Sequence, residues 1–195
     1  MKSVLKVLVA VLVVGAIWIP REALALGPVD LEIAAQVGGG TSTVGSGAVN
    51  ALGLGVGGRA GIDVLGFYGG VAAMYYLGDG GNEADSNGVP VHTYRSSTLV
   101  GLEGGYNFGL SILTLRPQLG LGYYNNGIST STQSGIGTTG STFQNSSSIY
   151  AEPAITALLP LGIWFVGADA GLLWVPAIDN AEVAVTVHAQ LGIKL

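Results

Sequence analysis

The chain has 195 residues, enough for one domain, and only 10% of them are charged, far below the roughly 25% of an average soluble domain. It has no cysteine, which excludes a disulfide framework and any cysteine metal site. Acidic residues outnumber basic ones by 12 to 7, and an acidic surface repels phosphate backbones, which argues against nucleic acid as a partner.

The first segment reads as a leader. Lys2 and Lys6 give a positive start, residues 7–19 are an almost unbroken apolar run, and Ala23-Leu24-Ala25 supplies a small-x-small cleavage pattern. The run is too short to span a bilayer comfortably as a helix. The expectation is a cleaved signal peptide over residues 1–25 and a mature domain over 26–195. That domain keeps four basic residues against eleven acidic ones. No part of it reaches 18 continuous apolar residues, so no helical span is predicted. With 33 glycines in the chain, long helices are also disfavoured.

Eight segments of the mature domain alternate with period two, as half-buried strands do. The first, residues 29–37, sets Val29, Leu31, Ile33, Ala35 and Val37 against Asp30, Glu32, Ala34 and Gln36. The second, 51–63, sets Leu52, Leu54 and Val56 against glycines and Arg59, and the third, 66–77, sets Phe67, Val71, Ala73, Tyr75 and Leu77 against Tyr68, Gly70, Ala72 and Met74. The fourth, 94–108, opposes Val100, Leu102 and Tyr106 to Ser97, Glu103 and Asn107. The fifth, 112–124, opposes Leu113, Leu115, Leu119, Leu121 and Tyr123 to Arg116, Gln118 and two glycines. The sixth, 148–159, carries Glu152 on its polar face, and the seventh, 163–175, carries Asp169 opposite Trp164, Val166, Leu172 and Trp174. The last, 182–195, sets Val183, Val185, Val187, Leu191, Ile193 and Leu195 against Thr186, His188, Gln190 and Lys194. Pro117 and Pro153 fall mid-strand, where each removes a ladder donor, and bulges are expected at both. Long connections at 38–50, 78–93 and 125–147 alternate with tight ones at 64–65, 109–110 and 160–162. That alternation predicts an all-β, eight-stranded antiparallel up-and-down transmembrane β-barrel.

Alternation alone does not say which face is outside. The polar face is mostly Gly, Ala, Ser, Thr and Gln, with one or two charges per strand, whereas a water-exposed face would carry far more Lys and Glu. Its charged and amide residues, Glu32, Arg59, Glu103, Arg116, Gln118, Glu152, Asp169, His188 and Gln190, are expected to form a paired network in a closed lumen, because buried charges need partners. Trp164 and Trp174 share a face and lie ten residues apart. On a tilted strand that is roughly 25 Å along the normal, the height of the apolar band between aromatic girdles. Tyr75, Tyr94, Tyr106 and Tyr123 are further girdle candidates.

Eight strands, the run Arg116-Pro117-Gln118-Leu119-Gly120-Leu121-Gly122-Tyr123 and the alternating terminal strand resemble small bacterial outer-membrane barrels of the OmpA/OmpX type. The resemblance covers residues 26–195 and carries no catalytic motif. It implies a bacterial cell outer membrane location, with lipids and lipopolysaccharide around the wall and the barrel-assembly machinery as a partner during insertion. Members typically end in an aromatic residue, and this chain ends in Leu195.

No residue pattern specifies chemistry. Gly53, Gly55 and Gly58 match a dinucleotide-binding spacing but open no helix. His188 reads as an interior histidine, with a lipid A-modifying enzyme as the lesser alternative; His92 reads as a loop residue. Asp79, Glu83 and Asp85 gather carboxylates in a loop without a full calcium-binding pattern. No cofactor and no metal are expected. Residues 125–147, rich in Ser, Thr, Gly, Asn and Gln, read as a mobile surface loop open to an extracellular ligand. The expected function is a structural or surface-interaction role; a narrow channel or carrier for a small solute is the alternative.

Overall fold

The computed structural model describes residues 29–42, 50–84, 90–134, 137–176 and 182–195. The leader and Asp85 lie outside the described residues. Nine strands follow one another: β1 (Val29–Ser42), β2 (Gly55–Val64), β3 (Phe67–Ala84), β4 (Pro90–Tyr106), β5 (Phe108–Leu110), β6 (Leu113–Ser134), β7 (Gly137–Leu161), β8 (Trp164–Val175) and β9 (Glu182–Lys194). β4 and β5 are one stave interrupted at Asn107, so the wall has eight staves. Each pairs antiparallel with its neighbour in sequence, β1 pairs with β9, and the sheet closes on itself. Closure leaves no unpaired edge within the barrel wall.

The side-chain period of two sends alternate residues outward. Val56, Val71, Leu102, Leu119, Leu121, Ile155, Leu172, Val187 and Leu191 are all exposed on the outer wall, while Glu32, Arg59, Arg116, Asp169 and His188 are buried inside. In water such an outer wall would be an aggregation hazard; in hydrocarbon it is the stable arrangement.

Four details depart from the sequence reading. First, neither proline causes a bulge. Pro117 leaves a gap in the β6 ladder opposite Tyr106 and Asn107, so β4 stops and β5 resumes in the same register. Pro153 likewise coincides with a lapse in β7–β8 pairing between Ala151 and Ala154, again without a slip. The register shifts occur elsewhere, at Leu77/Gly80 and Thr132/Gln133. Second, residues 125–147 are not an irregular loop: Asn125 pairs with Ser147 and the ladder continues to Ser134 and Gly137. The β3–β4 connection is also mostly strand, with Ala84 opposite Pro90, which places His92 on β4. Third, β1 continues to Ser42, past the residue 37 at which its alternation ends. Fourth, Leu52 does not continue the outward row of β2. Residues 50–54 precede the strand; Ala51 and Leu52 fold into the barrel mouth and are buried, while Leu54 stays exposed. Backbone bonds from Gly40 N–H to Leu52 O and from Asp79 N–H to Asn50 O hold them there, and Ser97 Oγ donates to Ala51 O.

Candidate functional site

The lumen is filled in three layers. At the periplasmic-type end, where the tight turns and chain ends gather, Arg116 on β6 makes a two-pronged pair with Glu32 on β1, at 2.9 and 2.6 Å. Both side chains are 0% exposed. The Arg116 guanidinium also lies 3.8 Å over the ring of Tyr68, and its Nε donates to Asn107 Oδ1 at 2.7 Å. Asn107 in turn donates to Asp63, which accepts from the backbone N–H of Gly66 and pairs with Lys194 at 3.1 Å. Lys194 also reaches Asp30 at 3.0 Å. A two-pronged guanidinium–carboxylate pair is the geometry in which a desolvated arginine is best satisfied.

The middle layer is built around Arg59 on β2. It faces Glu103 and Asp169, each at 3.5 Å, and donates to Gln118 Oε1 at 3.2 Å. Gln36 lies within reach of both Arg59 and Asp169. Asp169 sits opposite His188 on the neighbouring strand and meets its Nδ1 at 2.7 Å, while the Tyr76 hydroxyl meets Nε2 at 2.7 Å. With Asp169 ionised, Nδ1–H is the donor, and Nε2 accepts from the tyrosine O–H. Thr186 Oγ1 donates to Glu152 at 2.5 Å. Gln190 is buried in the same lumen, and neither of its amide atoms has a partner among the described residues.

The upper layer is apolar: Leu52, Met74, Leu99, Tyr124, Tyr150, Leu173, Val175 and Ala184 form one buried cluster across the mouth. The inward fold at Ala51 and Leu52 places Leu52 in it, a contribution that periodicity misses. Several lumen aromatics lie against glycines of other strands, Tyr68 over Gly61, Tyr150 over Gly101 and Gly122, and Phe165 over Gly192. A side chain at those positions would occupy the volume of the ring.

Tyr76, His188 and Asp169 share the order of a nucleophile, a base and an orienting carboxylate. Tyr76 is fully buried, however, and the cavity beside it, lined by Gln36, Arg59, Glu103, Glu152 and His188 among others, has about 20 Å³ for the centre of a water molecule. That is room for about one water, with no space for a substrate. Among the described residues no group of His, Asp and Glu has a metal-holding arrangement. Asp79 and Glu83 lie on β3.

The girdle candidates all face outward. Tyr106 and Trp164 lie at the end with the tight turns, where Tyr106 stacks edge-on between Phe67 and Phe108 at 4.9 Å to each. Tyr75, Tyr123 and Trp174 lie at the other end. Tyr94 stands apart from that ring, paired with Gly80 and Ser129 on the extension above the barrel, about 13 Å further along the strand than the partner of Tyr75.

No protein-family profile matches the chain, and no curated protein matches it by sequence. Solved structures do match by shape. Neisserial surface protein A superposes with a TM-score of 0.55 at 16% identity, over 87% of this chain and 98% of that one. A major outer membrane protein from Thermus thermophilus gives 0.59 at 11% identity, over 86% and 99%. At these identities the likeness is one of fold, and the fold is that of the small outer-membrane barrels.

Proposed function

We propose that this outer-membrane barrel is a non-enzymatic surface protein, in which the packed lumen is structural and the β6–β7 hairpin is the contact surface. One observation carries the reading. Pairing of β7 with β8 begins only at Ala151 and Trp174, so the outer edge of β7 from Gly137 to Tyr150 has no ladder partner among the described residues. The hairpin rises past the rung of Trp174 by about 40 Å of strand, at about 3.3 Å per residue. Residues 125–147 carry no charged side chain. Charges are among the devices with which proteins block strand addition at open edges, and this edge lacks them. It suits an extended polypeptide segment that adds as a further strand, with main-chain bonds supplying affinity. Lipids and lipopolysaccharide surround the wall in this reading, and the assembly machinery is met during insertion.

The test compares cells displaying the whole barrel with cells displaying a version in which a two-residue turn replaces residues 125–147. The shortened barrel should still migrate anomalously on unheated gels, and adherence of the cells to protein-coated surfaces should be lost. Equal adherence by both would overturn the assignment of the hairpin.

A further inference from the structure

The tight turns carry an unexpected chemistry. Each of the three is a two-residue connection, Leu65-Gly66, Ser111-Ile112 and Gly162-Ile163, between the last pairs of adjacent strands. Turns of this kind normally use Asn, Asp, Gly or Ser. Here each holds a large aliphatic side chain facing outward: Leu65 is 69% exposed, Ile112 76% and Ile163 58%. Leu65 moreover sits at φ 54°, with Gly66 at φ 87°. Positive φ at both central residues defines the hairpin turn for which Asn-Gly is the ordinary solution. A leucine there is strained: Asp63 and Asn107 hold the backbone of Gly66, but the leucine side chain itself is exposed and touches no core.

The same rim is continuous with the hydrocarbon-facing wall. Ile163 directly precedes the girdle residue Trp164, and Phe67, Tyr106, Phe108, Leu110 and Leu161 are exposed around the turns. The charges at this end are paired: Lys194 joins buried Asp63 at 3.1 Å and half-exposed Asp30 at 3.0 Å, so the rim presents no unpaired charge from these three groups. A girdle tryptophan marks the level of the membrane–water boundary. The Gly162-Ile163 turn adjoins Trp164 and so ends within the headgroup layer, and the other two turns close the same end of the barrel.

We infer that the periplasmic rim is a lipid-docking surface: Leu65, Ile112 and Ile163 insert into the inner leaflet of phospholipid and fix the depth of the barrel. The strained leucine is then explained by its surroundings, since Asn or Asp at that depth would forfeit contact with acyl chains. A fixed inner depth also fixes the height at which the β6–β7 hairpin emerges on the other side.

The absence of cysteine makes the test direct. Leu65→Cys, Ile112→Cys and Ile163→Cys are each given a nitroxide label in barrels folded into phosphatidylcholine vesicles, with Ser146→Cys as the water-exposed control. Collision with oxygen, against collision with a nickel chelate, reports depth. All three rim labels should lie about 5 Å inside the phosphate plane, and the control outside it. The double variant I112N/I163N, which leaves the strained turn untouched, should show a roughly tenfold smaller folding constant in the same vesicles. Rim labels as nickel-accessible as the control, or an unchanged folding constant, would overturn the inference. So would labels that are nickel-accessible in vesicles and shielded from both colliders in native outer membranes, because a periplasmic protein would then be the occupant.

Discussion

Replacing Arg116 by Met tests whether the lumen is a desolvated interior or a wet channel. Arg116 and Glu32 are both 0% exposed, and their two contacts, at 2.9 and 2.6 Å, neutralise each charge at close range. Removing the guanidinium strands a carboxylate where water does not reach, and also removes the cation over Tyr68 and the donor to Asn107. Breaking one partner of a buried pair costs about 3–5 kcal/mol, while replacing both partners by apolar groups of similar volume is neutral or stabilising by about 1–4 kcal/mol. The single R116M variant should therefore lose a factor of about 10²–10⁴ in its folding constant, and E32L/R116M should recover most or all of it. Urea titration in lipid vesicles measures both, followed by the fluorescence of Trp164 and Trp174 on β8. A single variant losing less than about 1 kcal/mol, or a double variant no more stable than the single, would refute the reasoning, because water would then be solvating the stranded charge.

Three further outcomes follow from the same packing. In planar bilayers the barrel should give no resolved single-channel conductance, since the middle layer holds room for about one water and the mouth above it is closed by Leu52 and its neighbours; discrete openings would restore the channel reading. Lipid A from cells expressing the protein should have the same mass whether position 188 is His or Ala, and a mass difference would make the Tyr76–His188–Asp169 chain catalytic. Gly192→Val should destabilise the barrel by about 1–3 kcal/mol, because the added atoms overlap the ring of Phe165; G192V/F165A should be less unstable than the sum of its parts, and strict additivity would mean the ring and the glycine are not in contact.

Most of the wall was legible because a strand in a lipid-facing barrel writes its solvent directly into the sequence, one residue in two. Every alternating segment from Val29 to Lys194 became a stave, and the charges assigned to the interior came together there. What alternation missed has a common cause. Leu52 fits the outward row by parity, but parity has meaning only within a strand, and the chain around it is held by backbone bonds to Gly40 and Asp79 that no local pattern announces. The hairpin over residues 125–147 failed in the opposite direction. Above the membrane neither face is apolar, so a regular ladder there leaves no periodic trace, and Ser and Thr read as loop although Thr favours strands. The prolines were read correctly as lost donors and incorrectly as bulges. An unpaired rung suffices when neighbouring rungs hold the register.

Asn107, beside the unpaired rung at Pro117, is how the interior charges reach the rim. Asn107 lies between β4 and β5, and its N–H bonds Gly66 O, which continues the β3–β4 register one step past Phe67 and Tyr106. The Asn107 amide, on the inward face by alternation, accepts from Arg116 and donates to Asp63. Asp63 in turn caps the N–H of Gly66 beside the strained Leu65, and pairs with Lys194 near the chain's last residue. The buried Glu32–Arg116 pair is thereby tied through one asparagine to the tightest turn and to the closing strand. Without that asparagine, Arg116 Nε would lose its acceptor in a buried site.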